Sequence, residues 1–167
     1  GGKYLGTGLV SLSSKIRVRL VSRNANDRFD RDFWERRLRY AIEYRRTVMG
    51  EQFDCCRLIF GEADQFPGLT VDRFGEILVT KTLSAGMEAL KPTLFPLLHE
   101  VLAQSGERIA GIYERNDVAI RALEGLPEGK GFFPLPGVPR PESTRTVITE
   151  NGIRYQNAYT CQPVCGP

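Results

Sequence analysis

The stretch from Arg57 to Phe74, Arg-Leu-Ile-Phe-Gly-Glu-Ala-Asp-Gln-Phe-Pro-Gly-Leu-Thr-Val-Asp-Arg-Phe, constrains the fold more than any other. It holds two short apolar runs, residues 58–60 and 69–74, and a third, 77–83, follows at once. Each is too short for a helix and rich in β-branched or aromatic residues, so each reads as a strand. Gly61-Glu62-Ala63-Asp64 is an acidic turn, and loops carry a disproportionate share of function. Phe66-Pro67-Gly68 suits a type II turn, with Pro at the second position and Gly at the third. Gly75-Glu76 suits a two-residue hairpin loop.

A meander of this kind needs helices to cover its apolar face, and the flanks supply two. Residues 31–49 carry Trp34, Leu38, Ala41 and Ile42 on one stripe that ends in Arg45, while Arg36, Arg37, Arg39, Arg45 and Arg46 crowd the remaining surface. Asp32 and Glu35 form a capping box, or Asp30 serves as the cap, and Gly50 ends the helix. Gly86 breaks the sheet and a second helix runs to about Gln104. Pro92 and Pro96 make its first half irregular, because each lacks a backbone donor. Leu94, Leu97, Leu98, Val101 and Leu102 form its stripe, with His99 beside it as a structural or surface residue. Residues 109–113 read as a strand, and Asn116 caps a short helix, 118–123, stopped by Gly125. Residues 129–141, rich in Gly and Pro, read as an exposed loop. Residues 146–149 and 153–155 form a hairpin across Asn151-Gly152, and after Gln156 the pattern is lost.

Ahead of the first helix, residues 4–10 and 15–21 are strand candidates joined by a serine-rich turn. Ile16, Val18 and Leu20 fall on one face of the second, and Lys15, Arg17 and Arg19 on the other. They suit the last hairpin of a small β-barrel. The predicted fold class is therefore α+β: a mixed or antiparallel sheet with two main helices, preceded by a partial barrel hairpin and a basic helix. The predicted divisions are 1–23, the end of a barrel; 24–50, a basic connecting helix; 51–156, the central α+β domain; and 157–167, an irregular tail.

Charge is unevenly placed. Residues 1–46 hold 12 Lys or Arg against 5 Asp or Glu, and residues 47–167 hold 11 against 15. A basic first quarter suits phosphates, and an Arg-rich solvated helix gives the same count. No apolar run approaches the roughly 18 residues of a membrane span, and no signal pattern is present, so the chain reads as cytosolic. It opens on Gly-Gly-Lys-Tyr without Met, which suggests a piece of something larger. Cys55-Cys56 and Cys161-x-x-x-Cys165 do not have zinc spacing, and free thiols are expected, with no metal site.

Three constellations carry the candidate chemistry. Glu62, Asp64 and Asp72 offer acids that either hold a metal or small substrate, or shape turns and pair with Arg57, Arg73 and Arg115. Tyr113-Glu114-Arg115-Asn116-Asp117 gathers polar groups at a strand-to-helix corner, which suits a phosphate at a helix start, or capping plus an Asp–Arg pair. Lys15, Arg17 and Arg19 suit a phosphate backbone, and equally suit solvent. Nucleophile-elbow, Walker and zinc patterns are absent.

Several of these motifs together resemble a known family. Gly61-Glu62-Ala63-Asp64, Phe66-Pro67-Gly68-Leu69 and Val71-Asp72-Arg73-Phe74 are similar to the central domain of the SAM-dependent large-subunit ribosomal RNA cytosine-C5 methyltransferases, built from a PUA domain, a central α+β domain and a Rossmann-like catalytic domain. Ser84-Ala85-Gly86-Met87-Glu88, Tyr113 to Asp117, Glu124-Gly125-Leu126 and Thr149-Glu150-Asn151-Gly152 fall in the family's order. Ser14 to Leu20 resembles the closing strand of its PUA domain. The family's next segment, Gly-Gln-Lys-Thr-Gly, is replaced here by residues 157–167, which are too few for a SAM-binding domain. Thr160-Cys161-Gln162-Pro163 is a chance likeness to a nucleophile motif.

The resemblance implies a part of a methyltransferase that contributes RNA binding and domain positioning without catalysis, with ribosomal RNA and the absent catalytic domain as partners and no membrane. It implies SAM for the intact parent and no cofactor here, and it leaves a homodimer open. Its candidate RNA contacts are Lys15, Arg17, Arg19, Arg36, Arg39 and Arg46. Its structural motif residues are Glu62, Asp64, Pro67, Gly68, Asp72, Arg73, Glu114, Arg115 and Asp117. The alternatives are a small enzyme using the Glu62/Asp64/Asp72 loop, and a protein-interaction domain that touches no RNA.

Overall fold

Thr7–Val10 (β1) and Val18–Ser22 (β2) form an antiparallel pair at the start of the computed structural model, which describes residues 2–143, 145–150 and 153–158. Both strands are shorter than the sequence suggests. Lys15 and Arg17 lie in the turn before β2, where the Ser11 N–H donates to the Arg17 carbonyl at 2.9 Å. The three cations therefore do not share one strand face. Leu12, Ile16, Val18 and Leu20 are all exposed.

The first helix, α1 (Arg31–Met49), starts at Asp30, whose Oδ1 accepts the Phe33 N–H at 3.0 Å. Glu35 makes no capping box and pairs instead with Arg39 one turn on. Phe33, Trp34, Leu38, Ala41 and Ile42 are buried, so the predicted stripe is the core face, with Phe33 added. Full burial of one such side chain contributes about 1.5–3 kcal/mol.

The meander is β3 (Cys55–Phe60), β4 (Leu69–Phe74) and β5 (Ile77–Thr82), antiparallel throughout. A register shift between Arg57 and Ile59 lets the consecutive residues Leu58 and Ile59 both enter the core. The turn at Pro67-Gly68 closes with the Leu69 N–H on the Phe66 carbonyl at 2.9 Å, and Gly68 has φ 84°. A Cβ on Gly68 would lie 2.7 Å from Ser84 Cβ, so the turn sits directly on the next helix.

That helix, α2 (Ala85–Gln104), is capped by Ser84. Gly86 does not break the structure: it lies inside α2, and a Cβ there would come within 2.5 Å of Leu9 Cβ. The glycine is what lets β1 approach the helix. Nor is the first half of α2 irregular, since the helix continues across Pro92 and Pro96. Two carbonyls forgo a backbone donor, but the buried residues Met87, Leu94, Phe95, Leu97, Leu98, Val101 and Leu102 hold the helix on the sheet.

Strand β6 (Gly111–Arg115) runs parallel to β5. His99 takes a structural position, with Nε2 3.0 Å from the Ile109 carbonyl. The short helix is a 3₁₀ segment, Ala119–Glu124, stopped by Gly125 at φ 69°. Asn116 does not cap it: its Oδ1 accepts the Thr82 N–H at 2.9 Å, tying β6 to β5. Residues 129–141 are not all loop, because β7 (Lys130–Phe132) pairs with β6 as the second edge of a five-stranded sheet ordered β3-β4-β5-β6-β7. Two glycines had hidden it.

The expected second hairpin is present as β8 (Arg145–Glu150) and β9 (Ile153–Ala158), lying against β3 and β4. Its Asn151-Gly152 turn, Cys161 and Cys165 lie outside the described residues. The main core fills the space between the helices and one sheet face, and Phe74, Ile77, Val79 and Tyr113 form a small core on the other.

Candidate nucleic-acid interface

The guanidinium groups of α1 divide into two sets. One set is spent on the fold. Arg45, where the apolar stripe ends, donates to Asp64 at 2.7 Å and to the Arg57 carbonyl at 2.8 Å. Asp64 also accepts the Phe60 N–H at 2.7 Å. Together they occupy one backbone donor and one acceptor of β3, an edge strand of the sheet, and so obstruct strand pairing there. Arg37 donates to the Val21 carbonyl at 2.9 Å and lies over the Phe33 ring. Burial lowers its pKa, against the attraction of Asp27.

The other set keeps charge at the surface. Arg36 is half exposed and stands 3.6 Å from Asp27. Arg39 pairs with Glu35 and also reaches Gln104 of α2. Arg46 pairs with Glu107 at 2.9 Å and stacks on Phe53. Exposed pairs of this kind contribute roughly 0–1 kcal/mol, so these arginines are available to a stronger anion.

On the hairpin, Lys15 and Arg17 are exposed and Arg17 donates to the Leu12 carbonyl. Arg19 is different. It donates to the buried Glu124 at 2.8 Å and lies 3.6 Å from Glu62. Burial alone would raise the pKa of Glu124, but hydrogen bonds from Ser14, Arg19, the Ala85 N–H and Ser11 bring it down to about 2. Arg19 is thus engaged with the fold and not presented to solvent as Lys15 and Arg17 are.

Glu62 and Asp64 of the turn and Asp72 of β4 are each matched to a separate arginine. Asp72 takes Arg57 in a two-point contact at 2.7 and 3.2 Å. Asp64 takes Arg45, and the exposed Glu62 faces Arg19. Arg73 stacks on Phe53 and pairs with Glu107 at 2.7 Å. Pro67 gives its carbonyl to the Ser84 hydroxyl at 2.8 Å. Among the described residues no three His, Cys, Asp or Glu groups are placed to hold a metal ion.

The polar corner after β6 is also cross-linked. Arg115 grips Asp117 at 2.8 Å. Glu114 accepts from Lys91 at 2.7 Å and from Asn116 at 2.9 Å. Arg121, almost fully buried, donates to the carbonyls of Thr82 and Pro127 and to Glu88. Sequence reasoning missed the roles of Arg121 and Glu124, most of whose partners lie far along the chain. Arg45, at the end of an apolar stripe, was the one visible signal of this kind.

Among the described residues the one parallel crossover is β5–α2–β6, where a cofactor would use the N-terminus of α2. That end is closed by the chain itself: the Ala85 N–H donates to Glu124, Ser84 fills the cap, and Gly68 abuts it. Cys56 is equally unsuited to nucleophilic chemistry, since burial pushes its thiol up to about 11.

Over 154 residues, 92% of this chain, the sequence is 38% identical to a protein of Klebsiella pneumoniae subsp. pneumoniae, the ribosomal RNA large subunit methyltransferase I. The chain matches one segment of that methyltransferase. The counterpart of the same description from Aliivibrio fischeri is 39% identical over 155 residues. The chain spans about a third of the methyltransferase relatives' length, 36% of the first and 37% of the second. No family model matches it. Among solved structures, a protein of Streptococcus mutans described as a SAM-dependent methyltransferase has the same fold over 91% of this chain, with TM-score 0.66 at 18% identity, and the match covers 36% of that chain. A methyltransferase solved in complex with SAH gives a TM-score of 0.67 over 91% of this chain and 36% of its own length.

Proposed function

We propose that this chain holds RNA and positions neighbouring domains for a SAM-dependent methyltransferase of the large ribosomal subunit RNA, acting at cytosine C5. The observation that carries the reading is the 38% identity along 154 residues to ribosomal RNA large subunit methyltransferase I. In this reading residues 1–23 end a PUA-like barrel, 24–50 connect it, 51–156 form the central domain, and SAM and the reacting cysteine belong to a separate catalytic domain. The setting is cytoplasmic. The exposed cations Lys15, Arg17, Arg36, Arg39 and Arg46 contact RNA phosphates, with Arg19 bracing the hairpin that presents the first two.

The positioning half rests on a second observation. A cavity of about 660 Å³ opens between the hairpin tip and the 3₁₀ segment, lined by Ile16, Ile120 and Leu123 among others. Ile16, Ile120 and Leu123 are 54%, 55% and 68% exposed there. Clustered apolar exposure of this kind suits packing against another folded unit.

Titration of ribosomal RNA fragments against the chain at several salt concentrations tests the RNA half. Binding should weaken steeply with salt, and Arg36→Glu should reduce it, because phosphate contacts release counterions. Affinity equal at low and high salt would overturn it.

A further inference from the structure

The face of α1 that carries the surface arginines also carries Tyr40 and Tyr44, one turn apart and 64% and 59% exposed. They border a cleft of about 510 Å³ between α1, the loop at Asn24 and Asp27, and the turn at Ala63–Gln65. Arg36 and Arg37 line the same cleft. Arg36 is half exposed at its rim, whereas Arg37 turns inward to the Val21 carbonyl and the Phe33 ring. The cleft's two acids are already occupied. Asp64 holds Arg45 and the Phe60 N–H, and Asp27 accepts from Ser22 and from Asn24 at 3.3 Å. On the opposite rim Gln65 is held in the left-handed region at φ 64°, ψ 32°, which is rare for a residue other than glycine. Its exposed amide stands beside the cleft.

We propose that this cleft binds one unstacked nucleotide of single-stranded RNA, its base against Tyr40 and Tyr44 and its phosphate on Arg36. The inference rests on the RNA-holding role above and gives it a site and a strandedness. Two exposed rings at helical spacing offer stacking faces that accept any base, the Tyr44 ring already carrying Arg45 4.9 Å from its centroid. Volumes of roughly 300–1,000 Å³ are usual for small-ligand clefts, so one nucleotide is the right scale. Arg36, half exposed on the same helix face, offers the phosphate a charge partner. The Gln65 amide can read a base edge.

The test uses the full chain with a labelled single strand of about 12 nucleotides and the same sequence as a duplex. The single strand should bind more tightly. Tyr40→Ala with Tyr44→Ala should weaken single-strand binding by about tenfold or more while leaving its salt slope unchanged, and the Phe pair at both positions should retain it. Arg36→Met should lower the salt slope by about one contact. Intact wild-type binding with no effect of the double alanine variant, or an equal loss for duplex and single strand, overturns the cleft and leaves the RNA-holding role standing. Absence of salt-dependent binding to either RNA overturns both.

Discussion

Arg19 and Glu124, 105 positions apart in sequence, meet at 2.8 Å and join the N-terminal hairpin to the first turn of α2. Glu124 does two things at once: one oxygen receives the guanidinium, the other the Ala85 N–H. An acid at a helix N-terminus is favoured by the helix dipole. The hairpin is thereby anchored by charge as well as by Leu9 against Gly86.

Acid should release this anchor. The unfolded carboxyl titrates near 4.5, and the folded one is held down to about 2. Its folded pKa is depressed, so its contribution is complete above about pH 4.5. That contribution is lost as pH falls toward 2, on the order of 3 kcal/mol in all. Urea unfolding across that window should show the decline, and Glu124→Gln should flatten it. An identical pH slope in the variant would contradict the account.

Removing the buried guanidinium of Arg121 should be severe. It holds Thr82, Pro127 and Glu88, and Arg121→Met leaves those acceptors, including one carboxylate, without their donor. A loss of about 3–5 kcal/mol is expected from chemical denaturation. Arg121→Lys should recover only a fraction, since an ammonium cannot reach three directions in one plane.

Arg45→Ala should expose the edge of β3. Asp64 would lose its 2.7 Å partner and the Arg57 carbonyl its donor. The expected outcome is a stability loss of roughly 1–3 kcal/mol and concentration-dependent association seen by light scattering. Arg36→Ala, on an exposed side chain, should change stability by no more than about 0.5 kcal/mol.

Cys56 should resist alkylation in the folded chain. Its thiol is buried and pushed up to about 11, whereas Cys55 is half-buried. Peptide mapping after brief iodoacetamide treatment at neutral pH should find Cys55 modified ahead of Cys56. Cys56 should react fully once urea unfolds the protein.

The meander, both long helices and the second hairpin were legible because each is specified locally. Strand periodicity, the Pro-Gly and Gly-Glu turns, and the Trp34–Leu38–Ala41–Ile42 stripe all act within a few residues of themselves. Strand β7 was not legible, since its Gly131 and the prolines around it look like loop. It is a strand because β6 offers an open edge. Gly86 reads as a breaker in sequence and is a contact point in space. The prolines of α2 read as interruptions, and tertiary packing overrides them.

For the candidate interface the division is sharper. The sequence alone determined that the first quarter is basic and that α1 carries half of its twelve Lys and Arg. It could not say which cations are committed. Ion pairing depends on partners 19 residues away for Arg45 and 105 for Arg19, and a pair's worth depends on burial, which exists only after the chain has folded. The tertiary structure alone separated Arg19 and Arg45, bound inward, from Arg36 at the surface. It also placed Arg36 on one cleft with the two exposed tyrosines.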